Sequence, residues 1–491
     1  MNRTGLILIV IFCFLGFAGV TARAQAPGAE KGTASSEVQR LNRAPVNKEI
    51  LRVKLPRPRE TKLPNGLTVL VLEQHKLPTA AFTLWLKTGA LADPKDLPGL
   101  AKATAEMLRE GTSHRSSAQV AADVDGLGAS LGASAEFGAD TSTVSASGLS
   151  ESVDRLLELM SDVVLNPTFP PDEFAIYQKR QLAQEDQRRS RSAFLAQERL
   201  QKVLYGDFAA AVVSATPQSL KAMSPAQLKE FHDRYYVPNN ALLGVVGDVE
   251  FDQVVSLIQK SFGDWKSHPV TPPDLGKLSP PAPSKVTLVD RPDSVQTNIL
   301  AGDLALRRAD PDFIPLTVMN RVLGGGPSAR LFLNLREKHG YTYGAYSSFT
   351  SDIYPGAWRA NTEVRNAVTD GSLHELMEEF KRIRTEPVPE SELDEARRSI
   401  VAGFALALEQ PARLLDFWMT AIYYRLPQDY WDRYPEQVAK VTPEVVERAA
   451  KKYVDLDHLQ VVCVGDGKQI KETLKKYGPL EVYDIDGKRL E

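Results

Sequence analysis

Cysteine is nearly missing from this chain, with two in 491 residues. Cys13 falls inside an apolar run near the N-terminus and Cys463 inside another, L-Q-V-V-C-V (459–464). No disulfide framework is available, and Cys463 reads as a buried structural thiol. Histidine is sparse too. The seven histidines, none closer to the next than thirty-five residues, leave no pair at the i, i+4 spacing that puts two imidazoles on one helix face. A surplus of positive charge is also missing. With net charge -3 and pI near 6.2 the chain has no general basic field for nucleic acid, and the run Arg188-Arg189-Ser190-Arg191 reads as a solvated helix face. No Gly-x-Ser-x-Gly turn occurs to carry a serine nucleophile. Beyond the N-terminus no apolar run is long enough to cross a bilayer.

What is present is ordinary globular composition, 43% hydrophobic and 25% charged, over a length that accommodates two or three packed domains. Arg3, the apolar stretch 6–20 and the small residues around Ala24 have the order of a secretory signal, so residues 1–24 read as a signal peptide and the protein as exported, periplasmic or secreted, with no membrane anchor after cleavage. Cys13 sits too deep in the apolar run for lipid attachment. Residues 25–57 lack sustained periodicity and read as a flexible leader, with order expected from Glu60.

From there the pattern is mixed. Asn65-Gly66 is a tight turn, 67–72 and 80–86 read as buried strands, and 129–149 as a strand pair near a sheet edge. Ser150 starts a helix, and one long charged helix is expected from 172 to about 203. The segment G-L-A-K-A-T-A-E-M-L-R-E-G-T (99–112) reads as a helix entered after Pro98 and stopped at Gly111.

The chain also repeats itself. Residues 224–235 and 237–248 lie over 442–453 and 455–466 at an offset of 218, each a capped helix, a turn, an apolar strand and Gly-Asp; Asp93, Pro94 and Pro98 match Asp310, Pro311 and Pro315 at an offset of 217. A proline-rich linker, 269–283, separates the copies. The expected fold is α+β. Two homologous mixed α/β domains, 58–268 and 284–482, form a clamshell of antiparallel-rich sheets, each flanked by helices.

The strings F-H-D-R-Y-Y-V-P-N-N-A-L-L-G-V-V-G-D-V (231–249), L-G-G-G-P-S-A-R-L-F (323–332) and L-R-E-K-H-G-Y-T-Y (335–343) resemble hallmark segments of the pitrilysin (insulinase) family of zinc peptidases, as does the frame G-L-A-x-x-x-x-x-M-L-x-x-G-T of the 99–112 helix. The resemblance implies two α+β domains per chain, paired chains enclosing a chamber, zinc on an H-x-x-E-H helix in one half, and an Arg and Tyr from the second half. Here the five motif positions are Lys102, Ala103, Thr104, Ala105 and Glu106, so the motif is degenerate and no metal is expected in this chain. Lys102 and Glu106 suit an i, i+4 ion pair instead. A third ligand, a glutamate some seventy-five residues on, would fall near Gln184 or Glu185.

The family's Arg and Tyr map onto Arg336 and Tyr343. A guanidinium can grip a carbonyl or carboxylate and a phenol can donate to an oxyanion; strand alternation after Gly340 would set Tyr341 and Tyr343 on one face. His339 and Tyr341 depart from the arginine and leucine usual in that segment. Gly324, Gly325 and Gly326 could let a backbone approach closely or merely form a tight turn, and Ala133 and Ser134 could offer a strand edge to a peptide.

The first functional reading is a zinc-free subunit that supplies Arg336 and Tyr343 in trans to a zinc-bearing pitrilysin-like partner, as a heterodimer or larger assembly that hydrolyses peptides. The alternatives are an inactive scaffold or peptide-binding protein of the same fold, and a self-sufficient hydrolase with an unrecognised site.

Overall fold

The computed structural model describes residues 49–491; residues 1–24, expected as a signal peptide, and most of the stretch 25–57 lie outside the described residues. Among the described residues, twelve strands form two six-stranded sheets. The first comprises β1 (Arg59–Lys62), β2 (Thr68–Glu73), β3 (Thr79–Leu86), β4 (Ser130–Ala135), β5 (Ser142–Leu149) and β6 (Ala241–Gly247). The second comprises β7 (Lys285–Asp290), β8 (Gln296–Leu304), β9 (Thr342–Phe349), β10 (Ala357–Arg365), β11 (Gln460–Gly465) and β12 (Leu480–Tyr483). Strand order is β1-β2-β6-β3-β5-β4 in one and β12-β7-β11-β8-β10-β9 in the other. Five positions correspond, including one parallel pair (β2 with β6, β7 with β11) among antiparallel neighbours. The sequence repeat is thus a repeat of topology, and only the strand beside β2 or β7 differs: β1 is antiparallel there, β12 parallel.

The central strands are apolar throughout because both faces are covered. In β2, Val69 and Val71 join the core of the first half, while Leu70 and Leu72 face the core that holds Leu415 and Met419. Those last two residues belong to the helix Pro411–Tyr423, from the second half of the sequence. The reciprocal contact is made by Ser192–Tyr205, whose Leu195, Ala196 and Leu200 pack with Val462 and Val464 of β11. Glycines make room at both places. A Cβ on Gly244 would lie 2.5 Å from Met419 Sδ, and one on Gly302 3.0 Å from Leu200 Cδ2. The two-domain fold is present, and its halves hold each other by an exchanged helix rather than by the linker alone.

That exchange explains a difference from the expected single helix over 172–203. The structure has two, Pro171–Arg189 and Ser192–Tyr205, broken where Arg191 turns extended so that the second helix can reach the far sheet. The leader also ends earlier than position 57. Leu55 is buried, its amide donates to Asp432 Oδ1 at 2.9 Å, and Trp418 Nε1 donates to the Pro56 carbonyl at 2.9 Å. Arg57 pairs with Asp432 at 2.6 Å over the Trp418 ring, so residues 55–57 are docked on the second half before β1 begins. Cys463, central in β11, is fully buried, with its thiol pushed up to about 12 by desolvation. Among the described residues no helix is long and apolar enough to cross a membrane.

Candidate functional site

The helix Leu100–Met107 begins at Gly99, whose φ of 97° needs no Cβ. Its first amides are satisfied from outside. The Asp93 carboxylate accepts from Gly99 N at 2.6 Å and Ala101 N at 2.7 Å, and burial raises that carboxyl to about 7 against those hydrogen bonds. Ala103, Thr104 and Ala105 face the core, so Ala105, which the resemblance aligns with the motif's glutamate, is a fully buried methyl group. Lys102 and Glu106 lie on the other side, half-buried, with Nζ 2.6 Å from Oε1. The second oxygen of Glu106 accepts from Gln181 Nε2 at 3.1 Å, and Tyr177 lies close enough that the Glu106 charge, after burial, holds its phenol protonated.

Gln181, rather than the Gln184 or Glu185 to which the resemblance pointed for a third ligand, is the residue of this helix that reaches Glu106. Gln184 is exposed, and Glu185 is buried against Arg188 at 2.6 Å. Gln181 lies seventy-five residues beyond Glu106. Counting that spacing from the last motif position was the signal that would have found it; nothing in the sequence announced Tyr177.

The donor set does not suit zinc. An ammonium cannot coordinate, a neutral amide oxygen binds zinc weakly, and both oxygens of the single carboxylate are already engaged. Lys102 places a tethered positive charge beside that carboxylate.

A second group of residues lies on the other sheet. The segment enters as one α-helical turn, Arg330–Phe332, and continues as a π-helix, Leu333–Lys338, in which Asn334 O receives His339 N at 3.1 Å. Gly340, at φ 64°, ends it. A π-turn inserts one residue into a helix and so re-aims the side chains beyond it. Asn334 pins the turn by donating to Glu375 at 2.9 Å and Glu379 at 2.8 Å on the helix Thr369–Thr385. Arg336 projects half-buried, with its guanidinium carbon 5.8 Å from the Tyr343 ring centroid. Its guanidinium makes no hydrogen bond or ion pair with any described residue.

Tyr343 is 90% exposed. A β-bulge explains its aim: Thr342 pairs with Val364 and Ala345 with Thr362, so Tyr343 and Gly344 together oppose Glu363. The simple alternation expected for Tyr341 and Tyr343 fails, because Tyr341 precedes the strand, stacks on His339 at 4.9 Å and packs at Gly371. Tyr346, also exposed, lies 5.7 Å from Phe332 and extends the aromatic surface.

The glycines at 324–326 are packed. Ser347 N donates to Gly324 O at 2.9 Å, a Cβ on Gly324 would lie 2.4 Å from that nitrogen, and one on Gly325 2.8 Å from Arg321 Cα. They let the helix Phe313–Leu323 meet β9 closely, which is the tight-turn reading. Ala133 and Ser134 are half-buried on β4, which pairs only with β5 within its sheet and packs beside Leu100–Met107. The structure thus sets the β4 edge beside the helix that carries Lys102 and Glu106, and brings Arg336 near Tyr343 on β9, the corresponding edge of the other sheet. No hydrogen bond, ion pair or ring contact joins the two groups among the described residues.

Residues 68–211 match the family model described as Insulinase (Peptidase family M16), and residues 222–400 match Peptidase M16 inactive domain. Similar proteins include an uncharacterized zinc protease of Mycobacterium leprae (strain TN), 27% identical over 372 residues, covering 74% of this chain and 80% of that one. Another, from Bacillus subtilis (strain 168), is 23% identical and covers 70% and 83%. Among solved structures, a peptidase M16 inactive domain from Pseudomonas fluorescens superposes with a TM-score of 0.77 at 28% identity, covering 83% of this chain and 98% of that one. A protease from Helicobacter pylori shares the fold at the same TM-score and 18% identity, covering 84% of this chain and 100% of that one.

Proposed function

The chain belongs to the insulinase (M16) peptidase family, and from that premise we propose that it is the zinc-free subunit of an exported two-chain peptidase, supplying Arg336 and Tyr343 to a zinc-bearing M16 partner. The observation that carries this reading is the state of Arg336: a guanidinium with no partner among the described residues, held over an exposed phenol by a π-turn and a bulge. A structural arginine would ordinarily be paired. This one is free to take a substrate carbonyl or carboxylate, while Tyr343 can donate its O–H to an oxyanion. The zinc belongs to the partner on this reading, because the Lys102–Glu106–Gln181 cluster does not suit a metal. The separation of that cluster from the Arg336–Tyr343 pair supports action in trans.

The test is turnover of a quenched-fluorescent peptide by the reconstituted pair, with assembly checked separately by size. Neither chain alone should cleave and the mixture should. Losing one oxyanion donor costs about a hundred- to a thousandfold in turnover, so Tyr343→Phe should fall by that order with assembly intact. Arg336→Ala should in addition raise KM, since it removes an anchor as well as charge stabilisation. Full activity in both variants overturns the proposal in favour of a scaffold or peptide-binding role, and full activity of this chain alone favours a self-sufficient hydrolase.

A further inference from the structure

Arg308 lies in the connection after β8, with 6% of its surface exposed. A guanidinium taken so far out of water ordinarily needs a carboxylate. Among the described residues none is within ion-pair reach of it, and its one side-chain hydrogen bond is a long 3.4 Å from Nη1 to the Tyr430 hydroxyl. The charge is set against π faces instead: its guanidinium carbon lies 3.9 Å from the Phe313 centroid, 5.1 Å from Tyr430 and 5.6 Å from Trp431. Nε and Nη2 make no hydrogen bond to any described residue. Arg308 lines a cavity of about 480 Å³ whose wall is otherwise mainly apolar, with Phe313, Ile314, Leu426 and Val445. Two other charged groups share that wall. Lys440 is already paired with Glu436 at 2.5 Å, and Asp310 accepts the Asp312 amide at 2.8 Å.

The internal repeat shows that the fold does not require this arginine. At the offset of 217 that relates Asp93, Pro94 and Pro98 to Asp310, Pro311 and Pro315, position 308 corresponds to Leu91, which is buried in the first half's version of the same turn. Both turns border a cavity, and the first-half cavity is smaller, about 270 Å³. An apolar side chain serves the architecture in one copy. In the other a charged side chain stands at the corresponding position, with unused donors beside open space.

We infer that this cavity binds a monoanionic carboxylate bearing an apolar or aromatic side chain, as presented by the C-terminal residue of a short peptide. Arg308 takes the carboxylate in its fork, and Phe313, Ile314 and Val445 enclose the side chain. Asp310 in the same wall selects against a second negative charge on the ligand. None of these residues belongs to the Lys102–Glu106 cluster or to the Arg336–Tyr343 segment, so the site stands whether or not the trans-acting role holds.

The experiment titrates the purified chain with N-acetyl-L-phenylalanine and, separately, with N-acetyl-L-phenylalaninamide, its neutral twin, by calorimetry and ligand-observed NMR. The acid should bind saturably and the amide at least roughly tenfold more weakly, since a charge-assisted pair is replaced by a neutral contact. Arg308→Leu, which copies the first half, should abolish the difference, and Val445→Phe should block the acid by filling the pocket while leaving the arginine in place. Should Arg308→Leu fail to fold, the acid–amide comparison on the native chain and Val445→Phe still decide. Equal binding of acid and amide, no saturable binding up to about 10 mM acid, or binding indifferent to Val445→Phe each overturns the inference.

Discussion

Lys102 puts its single positive charge on an ammonium 2.6 Å from Glu106, and Gln181 takes the carboxylate's other oxygen. Each side chain is satisfied by the others, so the cluster has no need of a metal. The purified chain should therefore hold well under one equivalent of zinc after brief dialysis, as measured by elemental analysis. The triple variant Lys102→His, Glu106→His, Gln181→Glu restores three ligands without disturbing the buried Ala105, and its zinc content should rise above that of the native chain. Stoichiometric, tightly held zinc in the native chain would overturn the reading. The sequence alone showed that histidines were missing from this helix; it did not show that Gln181 and Tyr177 close the gap, because residues on separate helices meet only after packing.

At the scale of single elements, the segment 330–349 does the most with local geometry. A π-turn and a β-bulge each add one residue to a regular repeat, and together they leave Arg336 and Tyr343 pointing away from the core. The turn is held by Asn334, whose amide bridges two glutamates of Thr369–Thr385. Asn334→Leu removes that bridge, leaving Glu379 to Arg382 alone at 2.9 Å and Glu375 to His339 at 3.4 Å, which should cost about 1–3 kcal/mol in chemical denaturation. It should also weaken substrate anchoring, seen as a raised KM of the reconstituted pair although Arg336 itself is unchanged. An unaltered denaturation midpoint together with an unaltered KM would show that the turn does not depend on Asn334. Neither irregularity was visible from residue pattern, since a π-turn and a bulge satisfy the same apolar periodicity as the regular elements on either side.

Across the molecule, the two halves meet at a titratable contact. Asp140, in the β4–β5 hairpin tip, accepts from Tyr423 at 2.8 Å, and Asp352, in the β9–β10 tip, accepts from Tyr424 at 3.3 Å. Tyr354 donates to the Gly138 carbonyl at 2.6 Å across the same junction. Burial, and then the neighbouring Asp140, raise the Asp352 carboxyl well above the usual carboxylate range. The unfolded chain therefore releases that proton at a lower pH than the folded one. The contact's contribution is fully present below about pH 4 and is lost as pH rises through the raised value. Asp352→Asn should flatten this dependence: plotted against pH, the stability of the native chain relative to the variant should decline from about pH 4 through neutrality, measured by urea denaturation. A constant difference would rule the contact out as titratable.

Features that depend on local order and on repetition were legible from the residues alone. The apolar strands, the capped helices, the duplicated helix–turn–strand and the absence of histidine at 102 and 106 are all written in neighbouring residues or at one fixed offset. It took tertiary packing to send the helices Ser192–Tyr205 and Pro411–Tyr423 to the opposite sheets, to dock residues 55–57 on Trp418 and Asp432, and to bring Gln181 to Glu106. The reason is physical. An amphipathic helix specifies that one face must be buried, but in a duplicated fold two sheets offer nearly the same apolar surface, and the choice between them is made by packing against particular side chains, with Gly244 and Gly302 leaving the space that Met419 and Leu200 fill.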